Sequence, residues 1–430
     1  MNKEILRLAI PNILSNISVP LLSSVDTALM GHLSTQHIGA VGIAAMFFNF
    51  IYWNFGFLRM GTTGITAQAY GKKDSTQIIH TLSRASLVAM LLTSIVLIFQ
   101  YPIFQLCTSF FESSDDQLLL VQEYFNIRIW DAPATIGLVV FMGWFFGMQN
   151  AIYPLILTIS INIINISTSF VFVYHWDMGV AGVAYGTVIA QYMGLLFAIG
   201  LFLFKYRYLL KEFNKKTWLA LETLVAFLNI NKDIFIRTFC LSLAFAFFYR
   251  QSNQLDATIL AVNIVLMQFL SWMSFGVDGF AFAAESLVGK YHGAKQPKKL
   301  QKAIKLSFVW GMFFALLYSL SYWLFGNSIL SIFTDQEAIL TEAQTFLFWM
   351  WIYPILGTPC YIWDGIFVGL TASKAMRNSM FLAITTYFLS YYWLVDYWGN
   401  HGLWLALLLF LVARGLFQSV LYYKRGTNLL

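Results

Sequence analysis

The stretch GVAGVAYGTVIAQYMGLLFAIGLFLF, residues 179–204, contains no charged side chain and runs straight into the basic segment KYRYLLKEFNKK at 205–216. A bilayer's hydrocarbon core needs roughly 20 mainly apolar residues per helix, and this run meets that length with a cationic edge at one end. An unbroken apolar run points to a helix, because a lipid-exposed backbone must satisfy its hydrogen bonds within its own segment, whereas a barrel strand would alternate apolar and polar residues. Comparable runs recur from Leu6 to Tyr423 with only short polar breaks, and 59% of all residues are hydrophobic against 11% charged. No soluble fold of this length buries so much hydrocarbon.

The spans expected on this basis are 6–30, 39–68, 80–107, 118–147, 151–174, 179–204, 234–256, 257–289, 303–330, 341–371, 375–397 and 401–423. The chain is therefore expected to be an all-α polytopic membrane protein with about twelve transmembrane helices. Lys3 and Arg7 precede the first apolar stretch, but Pro11, Pro20 and Asp26 interrupt it and no A-x-A site follows, so it reads as a retained helix rather than a cleaved leader. Basic residues occupy alternate breaks: Lys3 and Arg7, Lys72 and Lys73, Lys205 to Lys216, Lys290 to Lys305, Lys374 and Arg377, Lys424 and Arg425. The intervening breaks carry Glu112, Asp115, Asp116, Asp177, Asp335, Glu337, Glu342 and Asp396. By the positive-inside rule both termini face the cytoplasm, and the location is the cytoplasmic membrane. The net charge of +6 is spread over these membrane-proximal turns, which explains it without a nucleic-acid partner.

The chain repeats itself. Gly71 before Lys72-Lys73 matches Gly293 before Ala294-Lys295; Gly143 and Gly147 match Gly365 and Gly369; every pair is separated by 222 residues, and Pro133 has a counterpart in Pro354, one residue off. A shared register over several spans implies two pseudo-symmetric six-helix bundles of equal topology, with a substrate cavity at their interface. The expected domains are an N-terminal lobe at 1–204, a cytoplasmic linker at 205–233 and a C-terminal lobe at 234–430.

Several segments resemble the multidrug and toxic compound extrusion family, and within it the DNA-damage-inducible (DinF-type) branch. They are Pro11 to Gly31 with Asp26 inside, Ala67-Gln68-Ala69-Tyr70-Gly71, Gly179 to Gly182, Asp278 to Glu285 followed by Gly289 to Gly293, Trp363-Asp364-Gly365 to Gly369, and Arg377-Asn378-Ser379. Together they cover nearly the whole chain. The resemblance implies two lobes forming a V-shaped cavity, and export of small organic, often cationic or amphiphilic compounds in exchange for H⁺ or Na⁺ by alternating access. It implies no cofactor; small organic substrates and membrane lipids are the expected partners, and the chain is expected to act as a monomer.

An ionised carboxylate at the centre of a spanning helix costs roughly 2.5–3.5 kcal/mol on insertion scales, so each such acid calls for a reason. Asp26 lies well inside the first span, six residues beyond Pro20, which removes one backbone donor and favours a kink. Low dielectric favours the protonated acid there, so a proton competes with substrate or Na⁺. In the fifth span Asn162, Asn165 and Ser169 fall at i, i+3 and i+7 on one face. Their oxygens either complete an ion site with Asp26 or serve as interhelical glue. In the family the position of Ser169 is commonly an Asp, so a single acid here puts stoichiometry and ion identity in question.

On the C-terminal side Asp278 and Glu285 are seven apart on one face, and Asp364 stands beside Gly365. Asp278 has Arg250 as a candidate partner, and the family's cytoplasmic motif implies a conformational role for Asp278 and Glu285. Asp364 is the cavity candidate; the alternative is a cap at a kink. Arg59 and Arg128 fall inside spans and either snorkel or pair with an acid such as Asp131. Phe47, Phe48, Phe50, Tyr52, Trp53, Phe55 and Phe57 crowd the second span, and Tyr52 and Trp53 are candidate substrate rings, with lipid packing as the alternative.

The rival functions are a lipid or lipid-linked precursor flippase, which favours a strongly cationic cavity, and a membrane enzyme. The six histidines are scattered, Cys107, Cys240 and Cys360 lie far apart in apolar surroundings, and no catalytic cluster, metal-ligand spacing or phosphate loop occurs. The midplane groups read as acidic or neutral, which favours the antiporter over the flippase. The chain is not expected to be an enzyme.

Overall fold

The computed structural model describes residues 1–31, 35–109 and 115–426, without the side chains of 19–31, 35–38, 107, 115–116 and 425. The side chains of Pro20, Asp26, His37, Cys107, Asp115, Asp116 and Arg425, and all of His32 and Glu112, therefore lie outside the described residues. Within them the chain is all helix, without strands. The N-terminal half holds α1 (Asn2–Gly31), α2 (Thr35–Lys72), α3 (Ser75–Ile98), α4 (Gln100–Thr108), α5 (Asp115–Arg128), α6 (Ala132–Gly147), α7 (Ile152–Phe170) and α8 (Gly179–Tyr206). The C-terminal half holds α9 (Leu221–Leu255), α10 (Ala257–Gly293), α11 (Pro297–Phe333), α12 (Glu337–Gly369) and α13 (Ser373–Arg425).

Nine helices among the described residues are long and apolar enough to cross a membrane. One of them, α13, is two expected spans joined end to end, and the chain turns between them at Gly399, whose φ of +52° suits a residue without a Cβ. With α1 and α9 taken as crossings, the twelve spans read from the sequence are accounted for. Helix α9 starts at Leu221, ahead of the expected span at 234–256 and inside the expected linker at 205–233. Glu222, Lys232 and Asp233 break the apolar run there without breaking the helix; Glu and Lys are good helix formers, and a single Asp costs well under about 1 kcal/mol.

The chain forms two compact units, one of Leu14–Phe227 and one of Met1–Ile13 with Leu228–Leu430. The first turns of α1 thus belong to the C-terminal unit. Gly279 of α10 packs on the Ala9 carbonyl and Ile13, and Tyr291 Oη donates to Glu4 Oε1 at 2.9 Å with Lys290 Nζ at 3.4 Å. Partial burial acts to raise the Glu4 carboxyl, but the Tyr291 hydroxyl and the Lys290 ammonium outweigh it and hold the group below its ordinary value.

The duplication extends to the backbone. A Cβ on Gly143 would lie 2.5 Å from the Arg59 carbonyl oxygen and one on Gly365 would lie 2.1 Å from that of Ala281; both the glycines and the carbonyls are 222 residues apart. Gly147 faces the Thr63 carbonyl as Gly369 faces that of Glu285, again at the same offset. Helices α2 and α6, like α10 and α12, therefore touch backbone to backbone, which only glycine permits. The turns repeat as well. Lys73 and Lys295, Gln149 and Thr371, and Asp177 and Gly399 all have positive φ, and each pair has the 222-residue separation.

The segment after α8 is anchored inside the N-terminal unit. Arg84 of α3 donates from Nε to the Trp218 carbonyl at 2.6 Å and from Nη2 to Thr223 Oγ1 at 2.8 Å, and His80 Nε2 accepts from the Asn214 N–H at 3.2 Å. Hydrogen bonds from a charged donor contribute about 2 kcal/mol. Arg84→Ala is therefore expected to raise the open population of this segment roughly 30-fold. Trypsin cleavage at Lys215 and Lys216 in the folded protein reads this directly, and an unchanged cleavage rate would contradict it.

Candidate functional site

In the N-terminal unit the polar stripe of α7 faces α1 and α8. Asn162 Nδ2 donates to the Ser18 carbonyl at 3.1 Å and Ser15 Oγ to Thr158 Oγ1 at 2.9 Å, so two bonds hold this part of α1 against α7. Asn165 Nδ2 donates to Thr187 Oγ1 of α8 at 2.9 Å. Ser169 is fully buried, and Gly186 of α8 leaves it room: a Cβ there would sit 2.3 Å from Ser169 Oγ. Asn165 Oδ1 and Ser169 Oγ are both buried without a hydrogen-bond partner among the described residues. A buried acceptor left unmade costs roughly 1–3 kcal/mol, so these two positions carry a cost that the bonds of the stripe to α1 and α8 do not offset. The next turn, Val171–His175, is wound as a π-helix, a departure that recurs at functional sites. Asp26 lies in α1, two turns beyond Ser18, with its side chain outside the described residues.

Tyr52 sits in a different cluster. Its hydroxyl bonds to Asp131 Oδ1, the same fully buried carboxylate that Arg128 Nε reaches at 3.3 Å, and the Arg128 guanidinium lies 5.1 Å from the Phe48 ring centroid. Of the two acid pairings considered for buried cations, Arg128 with Asp131 is present. Arg59 lies over the Phe146 ring at 5.8 Å. Trp53, one residue on, is exposed on the surface of its unit.

The C-terminal unit holds the densest charge inside the fold. Asp364 Oδ2 on α12 accepts from Arg237 on α9 and from Arg414 on α13, and its Oδ1 accepts from Gln418 Nε2 at 2.7 Å. Arg237, Asp364 and Arg414 are 8%, 7% and 2% exposed, so the triad is dry. The close approach of α13 is made possible by Gly415, where a Cβ would lie 3.3 Å from the Cys360 nitrogen. Asp278 of α10 is half-buried and acts electrostatically on Arg237; Glu285 is buried further along α10; Arg250 is exposed on α9.

Sequence reasoning singled out Asp364 but passed over Arg237, Arg414 and Gln418, which surround it. The signal was present, since both arginines stand alone inside expected spans and carry the same insertion penalty as the acids. The reading of the midplane as acidic or neutral is corrected accordingly: two guanidiniums lie inside the C-terminal unit.

The two units use their common backbone differently. At the 222-residue offset, Asp26, Asn162, Asn165 and Ser169 correspond to Phe248, Ile384, Tyr387 and Tyr391, whereas Arg237, Asp364 and Arg414 correspond to Ser15, Met142 and Tyr192. Each unit therefore has its own polar centre, amide and hydroxyl groups in one and an ion-pair triad in the other.

The whole fold recurs in solved structures. An outward-facing multidrug resistance MATE family transporter of the MOP superfamily aligns with a TM-score of 0.90 at 18% identity, over all of this chain and 96% of that one. A MATE in complex with MaL6 gives 0.89 at 19%, over 100% and 97%. The fold is thus the one that these transporter structures share. The MatE family model matches residues 11–171 and 234–393, and the chain belongs to that family. It is 36% identical to DNA damage-inducible protein F of Escherichia coli over 99% of this chain and 93% of the relative. To the probable multidrug resistance protein NorM of Thermotoga maritima it is 21% identical, over 79% and 74%.

Proposed function

We propose that this chain is a secondary antiporter that exports small organic, cationic or amphiphilic compounds in exchange for H⁺ or Na⁺ by alternating access, with the N-terminal and C-terminal lobes as the moving parts. The coupling ion exchanges at Asp26, with the oxygens of Asn162, Asn165 and Ser169 around it. The observation that carries this reading is the pair of buried acceptors, Asn165 Oδ1 and Ser169 Oγ, left without donors among the described residues on a helix bonded to α1. A proton or sodium ion needs such oxygens, whereas a purely structural stripe would pair them. With Ser169 in place of a second acid, one exchangeable charge per cycle is the natural stoichiometry. Orientation follows the basic breaks, with both termini in the cytoplasm and the chain working as a monomer in the cytoplasmic membrane.

The test is dye efflux into everted membrane vesicles with each gradient collapsed in turn, by a protonophore or a sodium ionophore. Loss of efflux with one agent alone identifies the coupling ion, and efflux indifferent to both would overturn the reading. A second reading, a lipid or lipid-linked precursor flippase, draws on the buried guanidiniums Arg237 and Arg414, since phosphate heads favour such groups. Substrate-stimulated efflux of a water-soluble dye separates the antiporter from it.

A further inference from the structure

Asp364 is one carboxylate answering two guanidiniums. Both arginines converge on Oδ2, and the remaining oxygen is taken by Gln418. An arginine carries five N–H donors, so two of them far exceed what a single carboxylate accepts. The excess is visible in the structure: the Nε atoms of Arg237 and Arg414 are both buried and have no partner among the described residues. Each buried donor left unmade carries an unrepaid desolvation cost, and the two cations repel each other across a buried interior. Asp278 lies within electrostatic reach of Arg237 and moderates the positive charge there. The donors it leaves unfilled are those of the two Nε atoms.

Neither the duplication nor helix packing accounts for this triad, because the matching positions in the N-terminal unit are Ser15, Met142 and Tyr192 and hold no charge. The surroundings are aromatic and apolar: Phe410 lies under Arg414 at 5.5 Å, and Trp363, beside Asp364 in the chain, meets Phe308 edge-on and Tyr422 at a tilt. A planar oxyanion fits a guanidinium pair by two parallel hydrogen bonds, and an apolar tail fits such walls.

We propose that the C-terminal unit holds an anion-receptive site at Arg237 and Arg414 that takes the carboxylate head of an organic anion, with Asp364 as the internal carboxylate that the ligand displaces. The site goes beyond ion coupling at Asp26 and does not depend on it. It is empty of ligand whenever Asp364 bridges the arginines, and it fills when an external carboxylate offers the same two-point geometry. The two oxygens of the ligand reach the Nε edges that Asp364 leaves unfilled, while Asp364 keeps its bond from Gln418 Nε2, so no net charge is buried beyond the one that enters with the ligand.

The experiment is isothermal titration of octanoate into the purified full chain in zwitterionic lipid nanodiscs without an ion gradient, with octylamine as the cationic control. Saturable octanoate binding is expected in the wild type. Arg237→Gln, which leaves a balanced Arg414–Asp364 pair and is therefore expected to fold, should weaken it at least tenfold. Asp364→Asn, which removes the internal competitor, should tighten it about tenfold; monodispersity on size exclusion verifies that each variant is folded. The proposal is overturned if octanoate does not saturate the wild type, if it binds Arg237→Gln as well as the wild type, or if octylamine shows the same dependence on Arg237. Adding oleate, a membrane lipid with a carboxylate head, to the disc distinguishes two sources of the anion. A weakened apparent octanoate affinity assigns the site to a lipid head and an unchanged one to a free solute, and either upholds the anionic site. Because no transport is measured, failure here leaves the antiport reading standing, and failure of ion-coupled efflux leaves this site standing.

Discussion

Asp26→Asn is expected to reduce gradient-driven efflux to the background of empty vesicles while the protein remains folded in the membrane. Asparagine keeps the size and one acceptor oxygen of the aspartate but cannot exchange a proton and carries no charge for a sodium ion. Exchange requires a group whose occupancy changes as access alternates, and among the residues of the proposed N-terminal site Asp26 is the single acid. Removing the charge also lifts the insertion penalty of roughly 2.5–3.5 kcal/mol, so the variant should be no less stable than the parent. The measurement is dye accumulation in everted vesicles, normalised to protein detected in the same membranes. Efflux at the parental rate would show that coupling resides elsewhere. The companion variants Asn165→Ala and Ser169→Ala each remove one buried oxygen that has no partner among the described residues, and Asn165→Ala also gives up the Nδ2 bond to Thr187 Oγ1. They are expected to weaken ion dependence several-fold and leave folding intact, whereas residues acting only as packing would show the reverse pattern.

Gly365→Ala and Gly143→Ala are expected to be the most destabilising conservative changes in their units. A methyl at 365 would meet the Ala281 carbonyl oxygen at 2.1 Å, and one at 143 the Arg59 carbonyl at 2.5 Å. Backbone cannot swing aside as a side-chain tip does, so the helices must separate and the neighbouring contacts loosen, at about 1–3 kcal/mol or more. Against this stands the intrinsic gain of replacing a helical glycine by alanine, about 1 kcal/mol. The clash is expected to win by roughly 2 kcal/mol. Gly200 of α8 is the control, since nothing lies within 4 Å of its would-be Cβ; there the alanine is expected to stabilise. Heat-induced loss of monodisperse protein in detergent should therefore come earlier for Gly365→Ala and Gly143→Ala, and no earlier for Gly200→Ala. Equal behaviour of the three would mean that the close contacts of α2 with α6 and of α10 with α12 do not limit stability.

Most of the architecture was legible without coordinates because a membrane imposes a simple code. Runs such as 179–204 must be helices in hydrocarbon, since no other backbone form satisfies itself there. The 222-residue register was equally readable, because the glycines at 143, 147, 365 and 369 are required wherever the repeat brings two backbones together. The start of α9 was misread for a related reason: hydropathy reports where a helix is apolar, and Leu221–Asp233 is helical without being apolar. Of the candidate sites, the stripe of Asn162, Asn165 and Ser169 followed from helical spacing alone.

What spacing cannot supply is the partner across a bundle. Arg237, Asp364 and Arg414 lie 127 and 50 residues apart, on three helices. Each looks like an isolated buried charge in one dimension, and Asp364 by itself reads as a lure for cations. Packing reverses that reading, since the carboxylate is already claimed by two guanidiniums and the unfilled groups are donors. In the same way the spacing of Tyr52 in the second span does not show that its hydroxyl bonds to Asp131, the carboxylate that Arg128 also reaches. The amino-acid order by itself determined the number of crossings, their repeat and the presence of ionisable groups in them, because solvation by lipid acts on each segment separately. Only the tertiary structure decided which charges neutralise one another and which are left over, because Coulomb and hydrogen-bond energies depend on distances of a few ångströms between segments remote in sequence.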